Sequence, residues 1–252
     1  MKTISFATLA AVSLIATAVH AGEPVNKYPG SSWGSVGNTS PSEKDNFIAT
    51  IHAEQGMVVA NGDDWNLAPF VTGTVTVDSK GYDWNNKAVL RGGVKLEHTV
   101  PHGIVALRTG VAYEDRFRSG ESDSSLFVSA EHWLGWGYGT HFPGSTWGQL
   151  GYGMSPAEKD NISLMVHAEQ GLFATKFDSG RLVPFVDATI SRDTKGYNWN
   201  NKNQFGAGVK YSIPMTDNGV FDVGIKYTRE TMTKSGASAS NVGVFATYWF
   251  GW

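Results

Sequence analysis

The last ten residues, GVFATYWFGW, place Val244, Ala246, Tyr248 and Phe250 at every second position, with Gly243, Phe245, Thr247, Trp249 and Gly251 between them. Side chains of a strand point alternately to opposite faces, so this segment predicts a strand with one continuous apolar face. The same period of two predicts strands at about 46–58, 67–78, 87–98, 103–116 and 124–136, and again at about 161–173, 182–193, 202–213, 219–232 and 240–252. Their second faces are polar. Phe47, Ala49, Ile51 and Ala53 oppose Thr50, His52 and Glu54, while Leu90, Val94 and Leu96 oppose Arg91, Lys95 and Glu97.

The chain also repeats itself. PGSSWGSVG from Pro29 returns as PGSTWGQLG from Pro143, SPSEKDN from Ser40 as SPAEKDN from Ser155, and HAEQG from His52 as HAEQG from His167. KGYDWNNK from Lys80 returns as KGYNWNNK from Lys195, and WLGW from Trp133 as WFGW from Trp249, so the offsets run 114, 115, 115, 115 and 116. Repeat one covers about 29–136 and repeat two about 143–252. A period this long is a duplication rather than a solenoid unit.

Five strands per repeat would put near-identical loops on opposite sides of a membrane. Six would keep both repeats in one orientation, with twelve strands in all and both termini on one side. The sixth strand would fall in the Gly-rich, poorly alternating Trp33 and Trp147 segments, which could instead be loops or plugs. The expected fold is therefore all-β: a transmembrane antiparallel β-barrel of about twelve strands from two tandem six-stranded repeats, occupying 22–252 as a single domain. Short turns near Asn61-Gly62, Pro101-His102-Gly103 and Asn218-Gly219 would face the periplasm, and SPSEKDN, KGYDWNNK and RSGESDSS the outside.

A charge facing lipid costs roughly 2–4 kcal/mol at the bilayer midplane, so the polar faces are expected to point inward. The lumen would then be lined by His52, Glu54, Arg91, Lys95, Arg108 and Glu114 from repeat one, and by His167, Glu169, Asp187, Lys210 and Lys226 from repeat two. Trp133, Trp136, Trp249 and Trp252 are expected in the aromatic girdle at the inner membrane–water interface.

The start of the chain agrees with export. Lys2, an apolar stretch from Ile4 to Val19 and the small-residue pattern Val19-His20-Ala21 read as a signal peptide over 1–21. The run is rich in Ala, Ser and Thr, too weak for a membrane anchor. The absence of Cys excludes disulfide staples, and a net charge of −3 gives no general attraction to nucleic acid.

Candidate chemistry is sparse. His52 with Glu54, and His167 with Glu169, share a face two residues apart, so each carboxylate could orient its imidazole as the base half of a hydrolytic site. No nucleophile belongs to the motif; Ser163 is the nearest hydroxyl to His167 on that face, and Ile48 holds its place in repeat one. No spacing converges three or four metal ligands, and no cofactor is implied. In the GYxWNN loops, Tyr82, Trp84 and Asn85, with Tyr197, Trp199 and Asn200, could contact a saccharide. The simpler reading is that Asn and Gly shape a rigid loop and Trp anchors at the interface.

The alternating C-terminal strand that ends on Trp252 resembles the ending of bacterial outer-membrane β-barrel proteins, which implies an outer-membrane location, a lipid environment and recognition of that strand by the barrel-assembly machinery. EKDN, GYxWNNK, GVK at Gly93 and Gly208, and YWFGW together resemble barrel domains of envelope proteins associated with exopolysaccharide export or phage adsorption. Unlike many such exporters, this chain carries no long helical-repeat region. The expected function is a passive channel or accessory conduit for polar solutes or polysaccharide, not an enzyme. The alternatives are an envelope hydrolase using the His-x-Glu pair and a soluble periplasmic β-protein with a sandwich core.

Overall fold

The computed structural model describes residues 27–158, 160–216 and 218–252; the expected signal peptide lies outside them. The strands are β1 (Gly30–Gly37), β2 (Ile48–Gly56), β3 (Ala60–Asn61), β4 (Trp65–Asp78), β5 (Lys87–Val100), β6 (Gly103–Arg116), β7 (Ser122–Trp136), β8 (Gly144–Tyr152), β9 (Ile162–Gly171), β10 (Thr175–Phe177), β11 (Gly180–Asp193), β12 (Lys202–Thr216), β13 (Gly219–Met232) and β14 (Ser238–Gly251). All but the short β3 and β10 form one antiparallel ring of twelve. It closes where β14 pairs with β1, from Ser31 opposite Gly251 to Gly37 opposite Phe245. Closure leaves the wall without an unpaired edge, the condition for placing a sheet in lipid.

The Trp33 and Trp147 segments are full strands, β1 and β8. Their alternation is poor because a neighbour supplies the apolar cover. The Tyr248 ring lies over Gly34, where a Cβ would come within 2.4 Å of it, and its hydroxyl is 3.1 Å from Ser32 Oγ. Such pairing of glycine with a cross-strand aromatic side chain is invisible to a single-strand pattern.

Outward positions carry the apolar residues. Ile51, Leu90, Leu107, Ile225 and Val242 are exposed, and Leu126 is 73% exposed. A continuous belt of this kind is a hydrocarbon-facing surface, not the outside of a soluble domain. No helix among the described residues is long and apolar enough to cross a bilayer. The soluble-sandwich alternative fails on the inner face too: Glu54, Lys95, Glu114 and Glu230 are buried there, where a sandwich would place its apolar core. The protein is an outer-membrane β-barrel. Its long loops, such as 38–47 and 153–161, gather at one end, and both Gly30 and Trp252 lie at the other, the turn end.

Candidate functional site

The half of the lumen walled by the first repeat is packed. Glu54 on β2 accepts from Lys95 Nζ on β5 at 2.7 Å and from Arg108 on β6. Lys95 also meets Glu97 at 2.6 Å, and Arg108 Nε meets Glu131 at 3.1 Å. The Arg108 guanidinium lies 5.2 Å from the Phe70 ring centroid, and Phe70 packs edge-on against Phe127 at 6.4 Å. Ala112 and Met154 complete this small apolar cluster. Arg91 donates to the Met154 carbonyl at 2.9 Å, which draws the β8–β9 loop into the lumen. Nearer the loop end, Glu114 takes Lys87 at 3.3 Å and Arg116 at 3.0 Å. Glu54, Lys95, Glu97 and Glu114 each have an opposite charge in reach, which is what makes such burial tolerable.

The second repeat builds a different interior on the same wall. Lys210 bridges Glu169 at 2.6 Å and Asp222 at 2.7 Å, Lys226 binds Asp187 at 2.7 Å, and Lys202 binds Glu230 at 2.8 Å. Where the first half has Arg91, Arg108, Phe127 and Met154, the repeat offset places Gly206, Gly224, Gly243 and Thr39. Against those losses, Lys226, Asp222 and Phe245 stand at the positions of Gly110, Ala106 and Ser129. The exchange leaves a cavity of about 300 Å³, walled by Glu169, Asp187, Lys210, Asp222, Lys226 and Phe245 and reaching Thr39 and Ser40 at the loop end.

Four tryptophans and two histidines line the lumen beside these ion pairs. Trp33 stacks on His52 at 5.2 Å and Trp147 on His167 at 5.4 Å. Trp249 is directly opposite Trp33 in the β1–β14 ladder, as Trp133 is opposite Trp147 in β7–β8. Trp133 and Trp249 then stack on each other at 5.7 Å with an interplanar angle of 6°. Their strands are diametrically opposed, with five wall strands between them in either direction. This contact therefore spans the lumen, three residues from the turn-end termini of both repeats. It corrects the expectation that Trp133 and Trp249 belong to the interfacial girdle. The period of two puts them on the faces of Glu131 and Thr247, opposite to Leu134 and Phe250. Trp136 and Trp252 do stay on the outer face, where they hydrogen-bond Gln170 at 3.1 Å and Gln55 at 3.2 Å. Each lies against a glycine, Gly144 or Gly30, where a Cβ would come within 2.4 Å of the indole.

All eleven lumen-lining residues expected from the pattern sit on inward positions, but the His-x-Glu pairs are not hydrogen-bonded as a base would require. His52 Nδ1 binds Thr74 Oγ1 and His167 Nδ1 binds Thr189 Oγ1, both at 2.8 Å. The carboxylates of Glu54 and Glu169 are engaged by Lys95, Arg108 and Lys210. These imidazoles are held between an indole face and a threonine hydroxyl.

At the loop end the two sequence motifs lock together. Asn46 donates to Glu43 and Asp78 at 2.8 Å each, Asn85 to Glu43 at 2.6 Å and Asp78 at 3.1 Å, and Asn86 to Asp78 at 2.8 Å. Gly81, at φ +72°, turns its N–H onto Asp78 at 2.5 Å. Burial opposes the charge of Asp78, but hydrogen bonds from Asn46, Asn86, Asn85 and the Gly81 backbone outweigh it and hold the carboxyl below the usual aspartate range. Asp193 in the second repeat is held down in the same way by Asn201, Asn200, Asn161 and Gly196. The amide nitrogens of Asn85 and Asn200 are thus committed to the latch, whereas the Tyr82–Trp84 and Tyr197–Trp199 stacks, at 4.7 and 4.8 Å, remain at the surface with Trp84 and Trp199 exposed. Glu43, Asn46 and Asp78 were missed as partners of this motif. The repetition of EKDN and GYxWNN in both copies is the signal that could have joined them.

No family model and no curated protein sequence matches the chain. Among solved structures it is similar to an outer membrane channel from Pseudomonas putida F1, at 11% identity over 92% of this chain and 97% of that one, with a TM-score of 0.48. The β-domain of the Bordetella autotransporter BrkA gives 11% identity, 89% and 98% coverage and a TM-score of 0.45. The translocator domain of the autotransporter NalP from Neisseria meningitidis gives 11% identity, 98% and 97% coverage and a TM-score of 0.38.

Proposed function

We propose that this barrel is a narrow conduit for small polar solutes, routed through the half of the lumen built by the second repeat and closed at the turn end by the Trp133–Trp249 stack. The observation that carries this reading is the charged cavity of about 300 Å³ that runs from Thr39 and Ser40 down to Glu169 and Asp222. The facing half has a space of about 320 Å³ at the loop end, around Glu114, Arg116 and Asp123, but below it Arg91, Arg108, Phe70, Phe127 and Met154 fill the lumen. A polysaccharide threaded through the barrel would have to part both the ion pairs and the indole stack, so small solutes fit the available space better than a polymer. Long loops outside and short turns in the periplasm would make the stack the inner closure.

The test is single-channel recording on refolded protein in a planar bilayer. Wild type is expected to show small, infrequent steps. Replacing both Trp133 and Trp249 by Ala should raise the step size several-fold, because the cross-lumen contact is lost while the wall hydrogen bonds remain. Complete absence of stepwise current from both proteins overturns the conduit reading and leaves a closed structural barrel.

A further inference from the structure

The apolar outer wall carries positive charge at one place. Arg192 on β11 lies opposite Leu164, and Arg229 on β13 lies opposite Phe205, so both leave the wall on its lipid side. No other lysine or arginine occupies an outward position of the twelve wall strands. Both stand near the loop end: Arg192 is next to last in β11, and Arg229 is three residues from the end of β13.

Asn203 on β12 lies between them. Arg192 donates to Asn203 Oδ1 at 2.8 Å and to the carbonyls of Ser191 at 2.6 Å and Lys202 at 3.0 Å. These bonds hold the guanidinium against the wall and leave two of its five N–H groups uncommitted. Asn203 pairs in turn with Thr231, two residues from Arg229. Arg229 is exposed, with no hydrogen bond or ion pair among the described residues. The neighbouring outward positions, Thr231, Ser238 and Ser240, add hydroxyls and no carboxylate.

The first repeat shows that the wall does not need these cations. Val77, Ala88, Tyr113 and Asp115 stand there at the positions of Arg192, Asn203, Arg229 and Thr231. A tyrosine at that height is an ordinary interfacial anchor. A pair of arginines without a carboxylate partner is tolerated on a lipid face only where their charge meets polar headgroups.

We propose that the outer face of β11–β13 binds an anionic lipid of the leaflet at the loop end, its phosphate held between Arg192 and Arg229 and its chains lying along Phe205, Val209 and Ile225. Those three side chains are exposed on the same face, on the turn side of the patch. A planar guanidinium binds phosphate through paired N–H donors, and basic clusters at the membrane surface draw anionic headgroups. The ligand is a lipid rather than a soluble anion because both arginines emerge from the apolar belt, not from a loop or the lumen. The site lies outside the wall, so it stands whether or not the lumen conducts.

The experiment is native mass spectrometry of the full chain, folded in nonionic detergent micelles, with equimolar dioleoyl phosphatidic acid and dioleoyl phosphatidylcholine. Wild type is expected to retain one phosphatidic acid, favoured on the order of ten-fold over phosphatidylcholine, as befits two surface arginines. The Arg192→Gln, Arg229→Gln double variant should lose that preference. Lys80→Gln with Arg118→Gln, which removes the same charge from the loops of the first repeat, should keep it. Ammonium phosphate at the lipid concentration should not displace the adduct. Heat-modifiable gel migration reports whether each variant is folded. Absence of preference in wild type overturns the proposal, as does an undiminished preference in the folded Arg192→Gln, Arg229→Gln protein. Equal loss in the first-repeat control would reduce the effect to general charge attraction and overturn the site, and displacement by inorganic phosphate would overturn the lipid assignment.

Discussion

The first repeat walls a packed polar core and the second walls a cavity, although the two place Glu-Lys pairs, Phe, Trp and His at matching positions. The difference lies in a few inward positions. Arg91, Arg108 and Met154 span the first half, and their counterparts Gly206, Gly224 and Thr39 do not reach across the second. The outward face is what makes the wall a membrane barrel, so the inner face is free to vary between a filled and an open interior without altering the ladder. A duplicated barrel can in this way hold a rigid half and an accessible half within one closed sheet.

The sharpest way to break the equivalence of the repeats is at their ends, where Trp136 and Trp252 make matching contacts with Gln170 and Gln55 and with Gly144 and Gly30. If the assembly machinery reads the terminal strand, Trp252→Ala should sharply reduce outer-membrane insertion. Trp136→Ala should cost only about 1 kcal/mol or so of lost interfacial anchoring. Because the local contacts match, equal insertion of the two variants in cell fractionation would show that the terminus itself is not recognised.

The interior predicts the next largest contrast. Glu54→Gln removes a buried carboxylate shared by two cations, leaving Lys95 with Glu97 and Arg108 with Glu131, and because Glu54 is far more deeply buried than Glu169 the loss should cost about 3 kcal/mol. Glu169→Gln leaves Lys210 its bond to Asp222 and should cost about 1–2 kcal/mol. Urea titration of the heat-modifiable species measures both, and similar midpoints would erase the distinction between the halves.

The smallest effect concerns the loops, where the repeats should behave alike. The carboxyls of Asp78 and Asp193 are held below their ordinary value in the folded state. Each latch therefore adds stability above the unfolded pKa of about 3.9 and loses it as pH falls through the lowered folded value. Acrylamide quenching of indole fluorescence should rise only below about pH 4, as the loops carrying the exposed Trp84 and Trp199 loosen. The Asp78→Asn, Asp193→Asn double variant should lose most of that pH dependence; an unchanged profile in that variant would exclude the two carboxyls as its source.

Much of this architecture is legible along the chain because a strand's period of two acts residue by residue. The bounds of β6 and β13 follow from alternation alone, and the inward placement of Arg91, Lys95 and Lys210 follows from the cost of a charge in lipid. β1 and β8 were harder, because the apolar cover of Ser32 and Gly34 comes from Tyr248, more than two hundred residues away in sequence. Parity also placed Trp249 on the face opposite Phe250, but composition suggested an interfacial girdle, and parity was the sounder guide.

What the sequence determined by itself was most of the wall: ten alternating segments, their two faces and the repetition of motifs, set by local geometry and by the penalty for exposing charge to lipid, with the count of twelve following from the need to keep both repeats in one orientation. What only the tertiary structure decided was the interior. Whether Trp133 meets Trp249, whether Arg108 reaches Glu54 across two intervening strands, and whether a cavity remains beside Asp187 all depend on how the ring closes. Strand period fixes the direction in which a side chain leaves the wall, while curvature and register fix what it meets on the far side.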